Sequence, residues 1–258
     1  MAKKSIWMFR EAIKEKNAIL KASFFYFLMI LAAYAIAVFS ETLVPKDSLA
    51  IMQFAQKGFS SIILIFAAVL AYLLVMAFIY SFFKIIIINT AQKKDITKNS
   101  FNFIWGFFRF NIILGIAIAI VFLAIGAIIS YTFNHSPIAS AIYLGIFLFF
   151  IYPFANLSQL IFAKDRKSMG SMKKAINVLF SRFSYYVRII ITDAVYIGIV
   201  LLFFLIVGSI YKAIVAKQTS MAYINVYNTI FIAIFSILFL ILLGYNLYFF
   251  NKIAEKRN

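Results

Sequence analysis

A few ionisable side chains placed inside long apolar segments are the residues of this 258-residue chain that could do chemistry. Asp193 is the clearest of them, because it stands within the apolar run that follows Arg188. Charged groups at membrane depth are costly and by default indicate ion, proton or substrate handling. Arg188 is a poor partner on the same helix, since paired positions are three or four residues apart and these two are five apart. Lys84 and Arg109, which belong to other apolar segments, are the alternative partners.

Three roles are open to Asp193. It can form a buried ion pair that locks helix packing, in which case Asp193→Asn lowers the stability of the protein. It can instead handle a substrate or a proton inside the membrane. It can also lie at the level of the lipid headgroups, where its carboxylate reaches water.

Amide side chains stand near the same ends of the apolar segments as these ionisable groups. The predicted polar cluster has eight members: Asp193, Arg188, Arg109, Lys84, Asn111, Asn156, Gln159 and Asn246. Such a cluster can line a vestibule that opens to the cytoplasm, which would suit a transporter-like or lipid-handling protein. It can equally hold the helices together through interhelical hydrogen bonds, each worth about 1 kcal/mol or less.

Motifs for catalysis and for cofactor binding are missing from the sequence. There is no paired-carboxylate site, no Gly-x-Ser-x-Gly or His-Glu-x-x-His motif and no phosphate-binding P-loop. The chain has no cysteine and a single histidine, His135, which rules out cysteine-ligated zinc or iron–sulfur centres and multi-histidine metal sites. We therefore expect a non-enzymatic protein with no catalytic residue, no bound metal and no cofactor.

The amino-acid composition indicates that the apolar segments carrying the polar cluster lie in lipid. Hydrophobic residues make up 65% of the chain and charged residues 13%, against roughly 45–50% and about 25% in a soluble domain. So much apolar surface requires lipid, in which a spanning helix needs about 20 apolar residues. The sequence predicts an all-α membrane protein, a single transmembrane domain over residues 1–258 with six spanning helices in three hairpins. The predicted spans are residues 22–44, 59–88, 110–133, 138–163, 189–211 and 222–250.

The basic residues predict the orientation of the chain. Of the 25 Lys and Arg residues, 21 fall on one side of the membrane if the helices alternate in direction. Basic flanks stay in the cytoplasm, so both termini are predicted to be cytoplasmic, in the cell membrane. Orientation accounts for the net charge of +17 without nucleic acid, and anionic lipid headgroups are the expected counter-charge. The predicted headgroup ligands are Lys14, Lys16, Lys93, Lys94, Lys164, Arg166, Lys167, Lys173 and Lys174.

One pattern recurs three times along the chain, in units of residues 1–92, 93–165 and 166–258. Each unit begins with a basic amphipathic segment that precedes an apolar hairpin: Ser5–Lys21, Ile96–Arg109 and Met169–Arg188. We expect these segments to be helices at the membrane surface, and no small-residue cleavage site follows the first, so the first span should be retained. Apolar residues share a helical face in the second and third segments: Phe101, Ile104, Trp105 and Phe108, then Met172, Ile176, Leu179 and Phe183.

This alternation of basic amphipathic helices with hydrophobic hairpins resembles prokaryotic inner-membrane families of the kind found fused to glycerophosphoryl diester phosphodiesterases. The resemblance covers nearly the whole chain and implies a membrane domain without catalytic residues, because the phosphodiesterase chemistry belongs to a separate soluble domain. Two functions follow as hypotheses. The first is a transporter-like or lipid-handling membrane protein whose polar cluster faces the cytoplasm. The alternative is a membrane-organising or accessory subunit whose basic helices bind anionic lipid, a cytoplasmic protein partner or a further copy of the chain.

Overall fold

A computed structural model describes residues 14–43, 58–92, 103–133, 136–215 and 221–255. These residues form seven α-helices, of which all except the 14-residue α5 are long and apolar enough to cross a membrane. The predicted all-α fold with six spanning helices is therefore confirmed. The helices are α1 (Lys16–Leu43), α2 (Phe59–Ala91), α3 (Ile104–Thr132), α4 (Pro137–Asp165), α5 (Ser168–Ser181), α6 (Phe183–Val215) and α7 (Met221–Glu255).

Spanning helices extend beyond the apolar runs that predict them. α3 begins at Ile104 rather than near Phe110, and α6 begins at Phe183 rather than near Ile189. A hydropathy boundary marks where side chains become polar, whereas the hydrogen-bond ladder of a helix continues into the headgroup region. The start of α4 agrees with the prediction, since Pro137 occupies its first turn.

One of the three predicted surface segments is a separate helix, α5, which is too short to span the membrane and packs against α4. The described parts of the other two segments continue instead into α1 and α3. The residues predicted to share the apolar face of α5 do not all face the protein: Leu179 is buried, whereas Ile176 is exposed. The buried face carries smaller residues at a spacing of four: Ser171, Ala175 and Leu179.

Buried residues gather in one half of the bundle, where α1, α3 and α6 begin and α2, α4 and α7 end. We call this the packed half. Eight consecutive residues of α2, Lys84–Ala91, are all buried there. A helix that is buried on every side lies inside its bundle. Because α2 contacts α1, α3, α4 and α7, its last two turns form the centre of the fold.

The other half of the spanning helices is mostly apolar and exposed. Tyr131 at the end of α3 is 87% exposed, and Ile138 at the start of α4 is 73% exposed. Helices of one hairpin still meet in this half: the Tyr143 hydroxyl donates a hydrogen bond to the Phe122 carbonyl oxygen at 2.6 Å. Exposed apolar side chains are the normal surface of a helix in lipid, which is as apolar as they are. The packed half therefore positions the polar groups.

Candidate functional site

Lys84 lies at the centre of the packed half and is only 3% exposed. Its ammonium group donates hydrogen bonds to the Tyr26 hydroxyl at 2.7 Å and to Asn156 Oδ1 at 2.8 Å. Because Tyr26 is on α1 and Asn156 on α4, one side chain of α2 joins three helices.

A second set of polar contacts is centred on Gln159 of α4, which is 2% exposed. Gln159 Nε2 donates to the Tyr80 hydroxyl at 3.0 Å and to Asn111 Oδ1 at 2.9 Å. Asn111 Nδ2 donates in turn to Ser81 Oγ at 2.9 Å. These residues belong to α2, α3 and α4, so the network closes the interface between the first two hairpins.

Asp193 of α6 and Asn246 of α7 form a separate pair in the packed half. Asn246 Nδ2 donates to Asp193 Oδ2 at 2.7 Å. Asn246 is 4% exposed, and Asp193 is half-buried. The other oxygen of each side chain, Oδ1 in both cases, is buried and has no hydrogen-bond partner in the described part of the chain. Buried acceptors without donors are costly, and this pair holds two of them.

Among the residues that the structure describes, Asp193 forms no ion pair, so the buried ion pair that was one of its three open roles is not observed. Asp193 accepts its hydrogen bond from an amide, while Lys84 donates to a hydroxyl and an amide. The Arg188 guanidinium lies over the Tyr185 ring, 5.5 Å from its centroid, and Arg109 is exposed. Spacing along the chain could not reveal that Lys84 and Asp193 belong to different helix interfaces.

Most of the predicted polar cluster forms a filled, hydrogen-bonded core. Lys84, Asn156, Gln159 and Asn246 are each 5% exposed or less, so they do not line an open vestibule in this structure. Of the two arrangements that the sequence left open, the structure shows the interhelical hydrogen bonds. Six of the eight predicted members take part in these contacts: Lys84, Asn111, Asn156, Gln159, Asp193 and Asn246.

Tyrosine hydroxyls complete the networks, and the predicted polar cluster does not include them. Tyr26 and Tyr80 bond directly to cluster members. A tyrosine in an apolar segment is equally compatible with an interfacial aromatic belt, so its residue type alone does not reveal this role. The helical spacing could have indicated it, because Tyr80 lies one turn before Lys84 and Tyr152 lies one turn before Asn156. Residues one turn apart share a helix face, so these tyrosines face the same side as the polar cluster.

Seven of the nine predicted headgroup ligands belong to the described residues. Lys93 and Lys94 lie outside the described residues. Lys164 pairs with Glu255 at 3.4 Å, and Lys174 pairs with Asp165, which reduces the charge that these two lysines offer to a lipid. Arg166 ends α4 in the left-handed conformation, with φ 56°. The exposed members are Lys14, Lys16, Lys164, Arg166, Lys167 and Lys173.

The fold and the site define a class: an all-helical protein with six helices able to cross a membrane and a polar core in one half of the bundle. No family model, no curated protein and no solved structure matches this chain. The resemblance to the membrane families fused to glycerophosphoryl diester phosphodiesterases stays a prediction.

Proposed function

We propose that this protein is a non-enzymatic accessory or membrane-organising protein that binds anionic lipid headgroups at the cytoplasmic face of the cell membrane. The observation that carries this proposal is the two-sided surface of α5. One side packs into the protein through Ser171, Ala175 and Leu179. The other side carries exposed apolar residues: Met169, Ile176 and Phe180 are 75%, 44% and 65% exposed.

An exposed lysine stands within this apolar face. Met169, Lys173, Ile176 and Phe180 follow one another at three- and four-residue intervals, so they share one face of the helix. Apolar side chains of a surface helix enter the boundary of the acyl chains, while the long stem of a lysine lets its ammonium reach the headgroups. Arg166 and Lys167, which connect α4 to α5, extend the basic surface.

The filled core supports an anchoring role. A transporter-like function would require a path for substrate or water to the polar cluster, and the members at its centre are packed against their neighbours. A closed core instead holds α5 and the basic residues around it in a constant position. The positive-inside bias of the sequence supports a cytoplasmic position for this end of the protein, next to the leaflet that carries anionic lipid.

The lipid selectivity of the full-length protein tests the proposal. The protein would be purified from a mixed membrane, and native mass spectrometry would compare the retained phosphatidylglycerol with the retained phosphatidylethanolamine. The test variant replaces Arg166, Lys167 and Lys173 with Gln. The control replaces Lys46, Lys57 and Lys217, basic residues that the sequence predicts on the opposite side, with Gln.

The two variants have different expected results. Because a basic residue near an anionic surface is worth about 1 kcal/mol, we expect the test variant to lose the preference for phosphatidylglycerol by tenfold or more. The control should keep the wild-type preference. An unchanged preference in the test variant, or an equal loss in both variants, would contradict lipid binding at α5.

A further inference from the structure

Asp193 has no counter-charge in the described part of the chain. The titratable or polar groups that face it are Tyr152 from α4, Tyr186 from α6 itself, and Tyr245 and Asn246 from α7. All of them are neutral groups. An isolated carboxylate inside a membrane-embedded bundle is strongly disfavoured unless a cation or a proton neutralises it.

The hydrogen bonding of the pair points to the neutralising group. Asn246 Nδ2 already donates to Asp193 Oδ2, and the two atoms left without a donor are Asp193 Oδ1 and Asn246 Oδ1. An ionised carboxylate is only an acceptor, whereas a protonated carboxyl group is also a donor. A single proton on Asp193 Oδ1 turns that oxygen into a donor, and Asn246 Oδ1 is an acceptor that still lacks one.

We propose that Asp193 is a proton-binding site, and that the folded protein holds this carboxyl group as a neutral acid in a reciprocal acid–amide pair with Asn246. The proton comes from the surrounding water and forms one O–H bond at Asp193 Oδ1. That O–H group donates to Asn246 Oδ1, while the amide N–H continues to donate to Asp193 Oδ2. The proposal goes beyond the lipid-binding function and uses a different part of the molecule.

The position of the pair connects the proton to the packing of α6. Within the described residues α6 packs mainly against α7, and this pair is a polar contact between them. Release of the proton would leave a negative charge and two acceptors without donors in this interface. We therefore expect deprotonation to loosen α6 from the bundle. One turn away, Tyr196 and Leu242 border a shallow apolar crevice between α6 and α7.

Infrared spectroscopy of the full-length protein in lipid nanodiscs tests the proposal directly. At neutral pH we expect the carbonyl stretching band of a protonated carboxylic acid in the wild type and its loss in Asp193→Asn. The matched control is Asp165→Asn, because Asp165 forms an ion pair with Lys174 near the surface. The Asp193→Asn variant should fold, since an asparagine can both donate to Asn246 Oδ1 and accept from Asn246 Nδ2. If Asp193 were part of an ion pair, Asp193→Asn would instead lower the stability of the protein.

Thermal unfolding supplies a second readout. If folding takes up a proton, the melting temperature of the wild type should fall by several degrees from about pH 6 to about pH 9. The sign follows because the unfolded chain exposes an ordinary, ionised carboxylate and the folded protein keeps the proton. The melting temperature of Asp193→Asn should change less over the same range.

A third measurement needs no variant. A hydrophobic carbodiimide reacts with protonated carboxyl groups, and peptide mapping of the treated wild type should find Asp193 modified at neutral pH. An ionised Asp193 in the infrared spectrum together with an unmodified Asp193 would overturn the proposal. A carboxylic acid band that appears only when choline chloride replaces sodium chloride would also overturn it, because the natural occupant would then be an alkali cation.

Discussion

The hydroxyl of Tyr186 donates a hydrogen bond to the backbone carbonyl oxygen of Phe149. Pro153, four residues after Phe149 in α4, has no backbone N–H and so leaves this oxygen without its helical donor. Because Pro153 is fully buried and no water is present in lipid, the missing donor must come from another part of the protein. A side chain of α6 thus completes the hydrogen bonding of α4.

Removing this hydroxyl should destabilise the protein only while the proline is present. We expect Tyr186→Phe to lower the free energy of unfolding by about 1 kcal/mol, because the Phe149 carbonyl loses its donor. In a Pro153→Ala background the helix supplies its own N–H, and the same change should cost much less. Unfolding in mixed detergent micelles measures both costs, with Tyr131→Phe at an exposed site as the control. Equal costs in the two backgrounds would refute this relationship.

Gly244 allows α7 to approach α1 closely. A β-carbon at this position would lie 2.6 Å from Ser23 Oγ and 2.8 Å from the Ile19 carbonyl oxygen, both closer than non-bonded contact permits. We expect Gly244→Ala to lower the free energy of unfolding by about 1–3 kcal/mol, as overpacking does. Gly198→Ala is the control, because nothing lies within 4 Å of its added carbon and alanine favours the helix. A neutral Gly244→Ala would show that α1 and α7 do not pack as described.

Lys84 and Asn156 should be energetically coupled. Asn156→Leu removes an acceptor from a buried ammonium group and should be strongly destabilising in the wild type. In a Lys84→Met background the ammonium is absent, and Asn156→Leu should cost less. A double-mutant cycle should therefore give a coupling energy of about 0.5–3 kcal/mol. Additive effects of the two substitutions would mean that the two side chains are not in contact.

The proposed orientation can be measured on single-cysteine variants, because the chain has no cysteine of its own. Lys167→Cys, at the exposed connection before α5, should react with a membrane-impermeant thiol reagent only from the cytoplasmic side. Asn156→Cys should stay unreactive from both sides, because the side chain at this position is 5% exposed. Reaction of Lys167→Cys from the outside would show that the orientation is the reverse of the proposed one. Reaction of Asn156→Cys would reveal a wet core and favour the transporter-like hypothesis.

The spanning helices could be predicted from the sequence because each depends on the sum of many local preferences. About 20 consecutive apolar residues determine a span, so an error at one residue changes little. The ends were less accurate, as Ile104–Arg109 shows, since they depend on where a hydrogen-bond ladder stops rather than on hydropathy. Most members of the polar core could also be predicted from the sequence, because polar residues within an apolar run are rare.

The partners within that core were decided by the tertiary structure alone. Whether Asp193 meets Lys84, Arg109 or Asn246 depends on the rotation of each helix about its axis and on the order of helices around α2, and neither is a local property. The energies involved are small, about 1 kcal/mol for each interhelical hydrogen bond, so residue type alone does not select one pairing. The apolar composition and the length of the apolar runs thus suffice to predict that the protein lies in lipid and has six spanning helices. Close packing around the end of α2 decided that Lys84 bonds to Tyr26 and Asn156, and the α6–α7 interface paired Asp193 with an amide.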